Sequence, residues 1–148
     1  MKTKALMIAL ILIWCSSMWN PQVAQERNYI ISGSVRYVGN GDITIFLVDE
    51  EMFSQPLIGL QTVVLKTGSA SNKPMIQSFQ LMTVKAGTYG VRCFQDTNGN
   101  GKFDRGLFGP KEPWGMSWNA DKPAKWPRFS NISFQVNADT ELITINVD

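Results

Sequence analysis

The chain of 148 residues contains no histidine. That absence excludes Ser-His-Asp and Cys-His catalysis and the usual His-containing zinc centres. Cysteine is nearly as scarce, with Cys15 and Cys93 alone. Cys15 falls in a segment expected to be removed, and a single remaining thiol cannot form an internal disulfide. Charge is low as well, at 18% of residues against 44% hydrophobic. This is too little charge for a disordered tail and enough apolar material for one core. The formal charge of +2 comes from Lys2 and Lys4. From Gln25 onward 12 basic residues balance 12 acidic ones, so no global field draws the domain to nucleic acid.

The N-terminus reads as an export signal. Met1–Lys4 is basic, and Ala5–Trp14 is an unbroken apolar run. The run is too short to span a bilayer, which takes about 20 residues. Cleavage after Ala24 or Gln25 leaves one domain over residues 25–148 with no transmembrane segment. Two alternatives stand beside it: lipidation at Cys15, although Trp14 precedes it where a small residue is usual, and an uncleaved anchor. All three place the domain outside the cytoplasm, in the periplasm, on the cell surface or in the medium.

The mature part lacks any helical periodicity. It carries short runs of β-branched and aromatic residues separated by turn residues. Strands are expected over Tyr29–Val38, Ile43–Val48, Gln61–Lys66, Ile76–Val84, Thr88–Gln95, Ile132–Val136 and Leu142–Val147. Gly39-Asn40-Gly41-Asp42 is a hairpin turn signal, since Gly and Asn tolerate positive φ. About seven strands so spaced predict an all-β antiparallel sandwich. Tyr89, Val91 and Cys93, with Ile132, Phe134 and Val136, alternate as core positions. Cys93 on such a face reads as a small buried hydrophobe. Residues 96–130 are left as one long loop, which a compact domain keeps only if something holds it.

That loop opens with Asp96-Thr97-Asn98-Gly99-Asn100-Gly101-Lys102-Phe103-Asp104, a D-x-N-x-N-G-x-x-D pattern. Oxygen side chains at positions one, three and five can converge on a cation, glycine at six permits the turn, and seven and nine add a carbonyl and a carboxylate. The expected calcium ligands are Asp96, Asn98, Asn100, the Lys102 carbonyl and Asp104. Hard oxygen donors favour calcium over zinc or copper. Position twelve is Leu107 and not the Glu of an EF-hand, so another ligand must close the site. Glu112 is the first expectation, with Asp49 and Asp121 behind it. An equally simple reading is a tight turn built by Asx and Gly residues alone. After the loop, Trp114, Trp118 and Trp126 stand among Phe103, Phe108, Phe129, four prolines and four cations. They read either as a face for an anionic or sugar-like partner or as rings capping one end of the sandwich.

Together Gly87-Thr88-Tyr89, Asp96-x-Asn98-Gly99-Asn100-Gly101-Lys102-x-Asp104, Gly109-Pro110-Lys111-Glu112-x-x-Gly115, Ser117-x-Asn119 and Pro127-x-Phe129 resemble a family of exported bacterial proteins of about this length that carries a domain-of-unknown-function label. The resemblance implies a sandwich of the transthyretin-like or carboxypeptidase-regulatory-like kind and no activity. It places Glu112 in the family's Pro-Lys-Glu motif. Three functions are carried forward. The first is an exported non-catalytic binding or interaction module with a calcium-ordered loop, its partner a protein or glycan. The second is a purely structural component of an envelope or secreted assembly. The third is a hydrolase using carboxylates from Glu112, Asp121 and Asp104.

Overall fold

The computed structural model describes residues 27–56, 58–68, 71–117, 127–142 and 144–148. The export signal, Cys15, Trp118, Asp121 and Trp126 lie outside these residues. Among the described residues the fold is all-β apart from a four-residue helix and a short 3-10 turn, and its two main sheets face one another. Its strands are β1 (Asn28–Gly39), β2 (Asp42–Val48), β3 (Gln61–Leu65), β4 (Ser71–Lys85), β5 (Gly87–Asp96), β6 (Arg105–Gly106), β7 (Gly109–Pro110), β8 (Trp114–Met116), β9 (Phe134–Val136), β10 (Thr140–Glu141) and β11 (Ile145–Asn146). Helix α1 spans Glu50–Phe53.

In the first sheet β4 runs antiparallel to β1 along one edge, while β10 and β11 follow each other along the other. In the second sheet the order is β3-β2-β5, with β8 and then β9 on the free edge of β5. Among the described residues the pairings are antiparallel except two: β10 and β11 each run parallel to β1. The antiparallel sandwich expected from the sequence thus carries a mixed edge. The last strand is also split in two, and β4 begins at Ser71 inside the expected polar loop. Residues 96–117 are not one loop, since they hold the β6–β7 hairpin and β8.

The main core lies between the sheets. β1 alternates, sending Ile31, Val35 and Tyr37 inward. Phe79 and Leu81 of β4 join them, and Ile145 and Val147 close the same side. Ile43, Ile45 and Leu47 of β2, Val91 and Cys93 of β5 and Val136 of β9 meet them from the opposite sheet. At about 25 cal/mol per Å² of apolar surface removed from water, this layer is the main stabilising contribution. Burial raises the Cys93 thiol to about 12 from an ordinary 9.0. Stability linked to this group is therefore complete below about pH 9 and declines as pH rises toward 12. Cys93 is accordingly expected to resist a maleimide or disulfide reagent at pH 8 in the folded chain and to react fully in denaturant. Stoichiometric labelling under native conditions would contradict its burial.

The second sheet is buried on its outer face too, which the sequence reading did not anticipate. Phe46 and Val48, Phe94, Met116 and Ile132 form a second core there. α1, Phe103, Trp114 and Phe129 cover it. Ile132, expected in the main core, belongs to this one. The reason lies in β2, Asp42-Ile43-Thr44-Ile45-Phe46-Leu47-Val48, whose near-continuous apolar run is the pattern of a strand buried on both sides. The sheets are also stitched at one edge, where Trp114 N–H donates to the Asp148 carbonyl (3.2 Å) and Asp148 N–H to that of Trp114 (3.3 Å).

Candidate functional site

β5 ends at Asp96 against the β1–β2 turn. Gly41 in that turn has φ +112, and a Cβ there would fall 2.2 Å from the Asp96 carbonyl oxygen. Only glycine allows this approach, which seats the start of the Asx-rich loop on the sandwich. The Asp96 carboxylate is buried and gathers successive backbone donors. Its Oδ1 accepts from the N–H of Gly99 (2.8 Å) and Asn100 (3.1 Å), and its Oδ2 accepts from Gly101 (2.7 Å). Gly99 and Gly101 take φ of 73° and 72° to bring those amides round. Asn98 Oδ1 accepts from Asn100 N–H (3.0 Å), and Asn100 Oδ1 from Lys102 N–H (2.8 Å), giving two consecutive Asx turns. Both side-chain amides then donate to one oxygen, Asp104 Oδ2, at 2.7 and 2.8 Å.

Glu112 clamps the two ends of this bend. It is 4% exposed, and its Oε1 accepts from Thr97 N–H while its Oε2 accepts from Asp104 N–H, both at 3.1 Å. Lys111 N–H donates to the Asp104 carbonyl at 2.9 Å, which carries the clamp into the β6–β7 hairpin. The fold thus brings Asp96, Asn98, Asn100, Asp104 and Glu112 into a single knot, with Lys102 joined through its N–H and its side chain exposed. Of the two reserve candidates, Asp49 goes elsewhere and caps α1, accepting from Met52 N–H at 2.8 Å, and Asp121 lies outside the described residues. Among the described residues no cluster of three or more His, Cys, Asp or Glu side chains forms a metal site. A cation at the knot would therefore draw on the asparagine amides as well as on carboxylates.

Beside the knot, on the outer face of the second sheet, lies a cavity of about 530 Å³. This is within the usual range for small-ligand sites. Phe46, Arg92 and Phe94 form its floor, Trp114 and Met116 of β8 one side, Phe53 to Pro56 another, and Phe103, Arg105 and Pro110 the wall nearest the knot. The rings are coupled: Phe94 stacks on Phe46 with centroids 6.2 Å apart and meets Phe103 at 5.4 Å. Trp114 is half-buried here, serving the second core and the cavity together. Of the three tryptophans singled out from the sequence, it alone falls among the described residues.

Arg92 escaped the sequence reading. Its guanidinium donates to the carbonyls of Gln55 (2.8 Å) and Ile58 (2.7 Å), with longer contacts to Met52 and Phe53, and so holds the segment after α1. It lies 5.7 Å from the Phe46 ring centroid, in cation–π range. Its Nε is buried without a partner among the described residues. Burial first, and the nearby Arg105 charge second, lower its pKa from the ordinary arginine value. Arg105 lies 5.5 Å from the Phe103 ring centroid. The cavity thus has an aromatic interior with one cation, Arg92, in its floor and another, Arg105, on its wall. The available signal was the second alternation in β5, Gly90, Arg92, Phe94, which is apolar except for one charge.

Among the described residues no helix is long and apolar enough to cross a membrane. No curated protein and no solved structure matches the chain. A family signature does match, over residues 38–144, from the end of β1 through the knot and the cavity to the C-terminal strands. The chain belongs to the bacterial family described as "uncharacterized protein conserved in bacteria (DUF2141)".

Proposed function

We propose that the protein is an exported, non-catalytic binding module in which calcium orders the 96–104 loop and that loop sets one wall of a small-ligand cavity. The observation that carries this reading is the shared backbone of the two features. Phe103, Arg105 and Pro110 line the cavity, while Asp96, Asp104 and Glu112 hold the segment that bears them. Export is supported by the basic and apolar pattern of residues 1–14. Ligand chemistry follows from the lining: a flat apolar body suits Phe46, Phe94 and Trp114, and an anionic group suits Arg92 and Arg105.

Asn98 and Asn100 already converge on Asp104 Oδ2. A half-turn of each amide exchanges nitrogen for oxygen and presents three oxygens to one point, at the cost of two Asx-turn bonds. With Asp96, the Lys102 carbonyl and Glu112 as further donors, the site stays low in charge, and a Kd on the order of 10⁻⁴–10⁻³ M follows, as in extracellular modules. Calcium at 10 mM then stabilises by roughly 1.4–2.7 kcal/mol, or a melting shift on the order of 5–10 °C. Asp104→Asn, which keeps an oxygen for the two amides, should abolish the shift with little change in the calcium-free midpoint. A calcium-independent midpoint in the parent chain would remove the metal from this reading.

The structural-component reading draws on a different observation: backbone N–H groups already hold the Asp96 and Glu112 carboxylates in place without a metal. It predicts no ligand for the cavity. Titration of tryptophan fluorescence with an anionic aromatic such as anilinonaphthalene sulfonate, compared between the parent and Trp114→Phe, separates the two readings. Saturable quenching that weakens in Arg105→Gln supports the binding module, and its absence supports the structural role.

A further inference from the structure

β6 and β7 form a hairpin with Arg105 opposite Pro110 and Gly106 opposite Gly109. Leu107 and Phe108 are therefore its two turn residues. Two-residue turns favour Asn, Asp and Gly, which accept the required backbone angles and face water without cost. Here the positive φ is taken by Gly109, at 127°, and the tip carries two large apolar side chains. They are 99% and 104% exposed. Neither belongs to either core, so folding does not account for them.

Charge is sorted around this tip. In residues 96–112 the three acids, Asp96, Asp104 and Glu112, turn toward backbone N–H or asparagine amide donors, and two of them are buried. The three bases, Lys102, Arg105 and Lys111, are exposed. The Lys111 stem lies beside Gly106, its Cε 3.2 Å from where a Cβ on that glycine would sit, one residue from the tip. A convex apolar point surrounded by cations fits a soft anionic surface. A protein partner would need a matching groove, whereas a bilayer accepts apolar side chains at its acyl boundary and cations at its headgroups without one.

We infer that the 105–110 hairpin is a membrane-contact finger, with Leu107 and Phe108 entering the headgroup–acyl boundary of an anionic bilayer and Lys102, Arg105 and Lys111 meeting its lipid headgroups. The finger shares Arg105 with the cavity wall, but Leu107 and Phe108 line no part of that cavity, and their contact with lipid requires neither calcium nor a cavity ligand. The finger is short, so contact is weak and reversible and is lost with rising salt as the lysine and arginine attraction is screened.

The test uses the chain from Gln25 onward, which contains every described element and lacks the N-terminal apolar run. Co-sedimentation is measured with vesicles of phosphatidylcholine alone and of phosphatidylcholine mixed with phosphatidylglycerol. The parent chain is expected to bind the anionic vesicles and not the neutral ones. The double variant Leu107→Ser, Phe108→Ser should lose on the order of 10²-fold in partitioning, since each fully buried side chain of this size is worth roughly tenfold or more. Its melting midpoint should match the parent's, because both side chains already face water. A triple Lys102→Gln, Arg105→Gln, Lys111→Gln variant should lose the preference for anionic vesicles. Equal binding by parent and Ser variant, no binding to either vesicle, or equal binding to both vesicle types would overturn the inference. The second outcome would return the tip to a protein partner.

Discussion

A Glu112→Ala chain is expected to lose about 3 kcal/mol of stability, roughly a hundredfold in the unfolding constant. Glu112 is 4% exposed, and both its oxygens accept backbone N–H bonds, one from each end of the 97–104 bend. Removing the carboxylate leaves two donors without partners in a place water does not freely enter, and each such donor costs about 1–3 kcal/mol. Glu112→Gln is not a rescue, because its NH₂ group must face one of the two N–H donors. Urea unfolding would measure the loss, and amide exchange would locate it, with Thr97 and Asp104 losing protection first and β2 and β5 last. A loss below 1 kcal/mol would mean that the bend supports itself through Asp96 alone.

Gly115→Ala is expected to be strongly destabilising, costing about 3 kcal/mol or more. A Cβ at this position would sit 2.2 Å from the Asn146 carbonyl oxygen and 2.9 Å from Ile145 Cγ2. The nearest atom is backbone, so no side chain can swing aside, and overpacking of this kind forces the main chain to move. What must move is the seam where Trp114 and Asp148 exchange hydrogen bonds. At about 3–5 °C per kcal/mol for a domain of this size, the midpoint should fall by on the order of 10 °C. Gly68→Ala is the control, since nothing lies within 4 Å of its added methyl. It should be neutral or slightly stabilising through loss of unfolded-state entropy. Similar melting for the two variants would contradict the close approach.

Much of the sandwich could be read before the structure. β1 alternates about its buried positions, but the Gly39–Asp42 signal, expected as a hairpin turn, instead carries the chain from one sheet to the other, since β1 and β2 do not pair. The knot was legible in part, because Asx and Gly residues at two-residue spacing have few other uses. Glu112 stood out through a motif and not through its own spacing. Three features were hidden. β8 is three residues, Trp114–Met116, and owes its existence to the free edge of β5. The parallel course of β10 and β11 is a matter of topology, which side-chain alternation does not encode. The outer core depends on Phe46, Phe94 and Ile132 facing away from the other sheet. A period of two marks which residues share a face but not whether something covers it. The cavity inherits that limit, since Arg92 acquires its role only from the carbonyls of a distant segment.

The coat over the outer face of the second sheet has an evolutionary corollary. Because β2 and β5 meet the main core with one set of side chains and the coat with the other, the two can diverge separately. Relatives can exchange the pieces around Phe53, Phe103 and Trp114 while Ile43, Ile45, Val91 and their neighbours stay the same. Within such a lineage, substitutions should accumulate in residues 50–58 and 103–110 faster than along the inward rows of the strands.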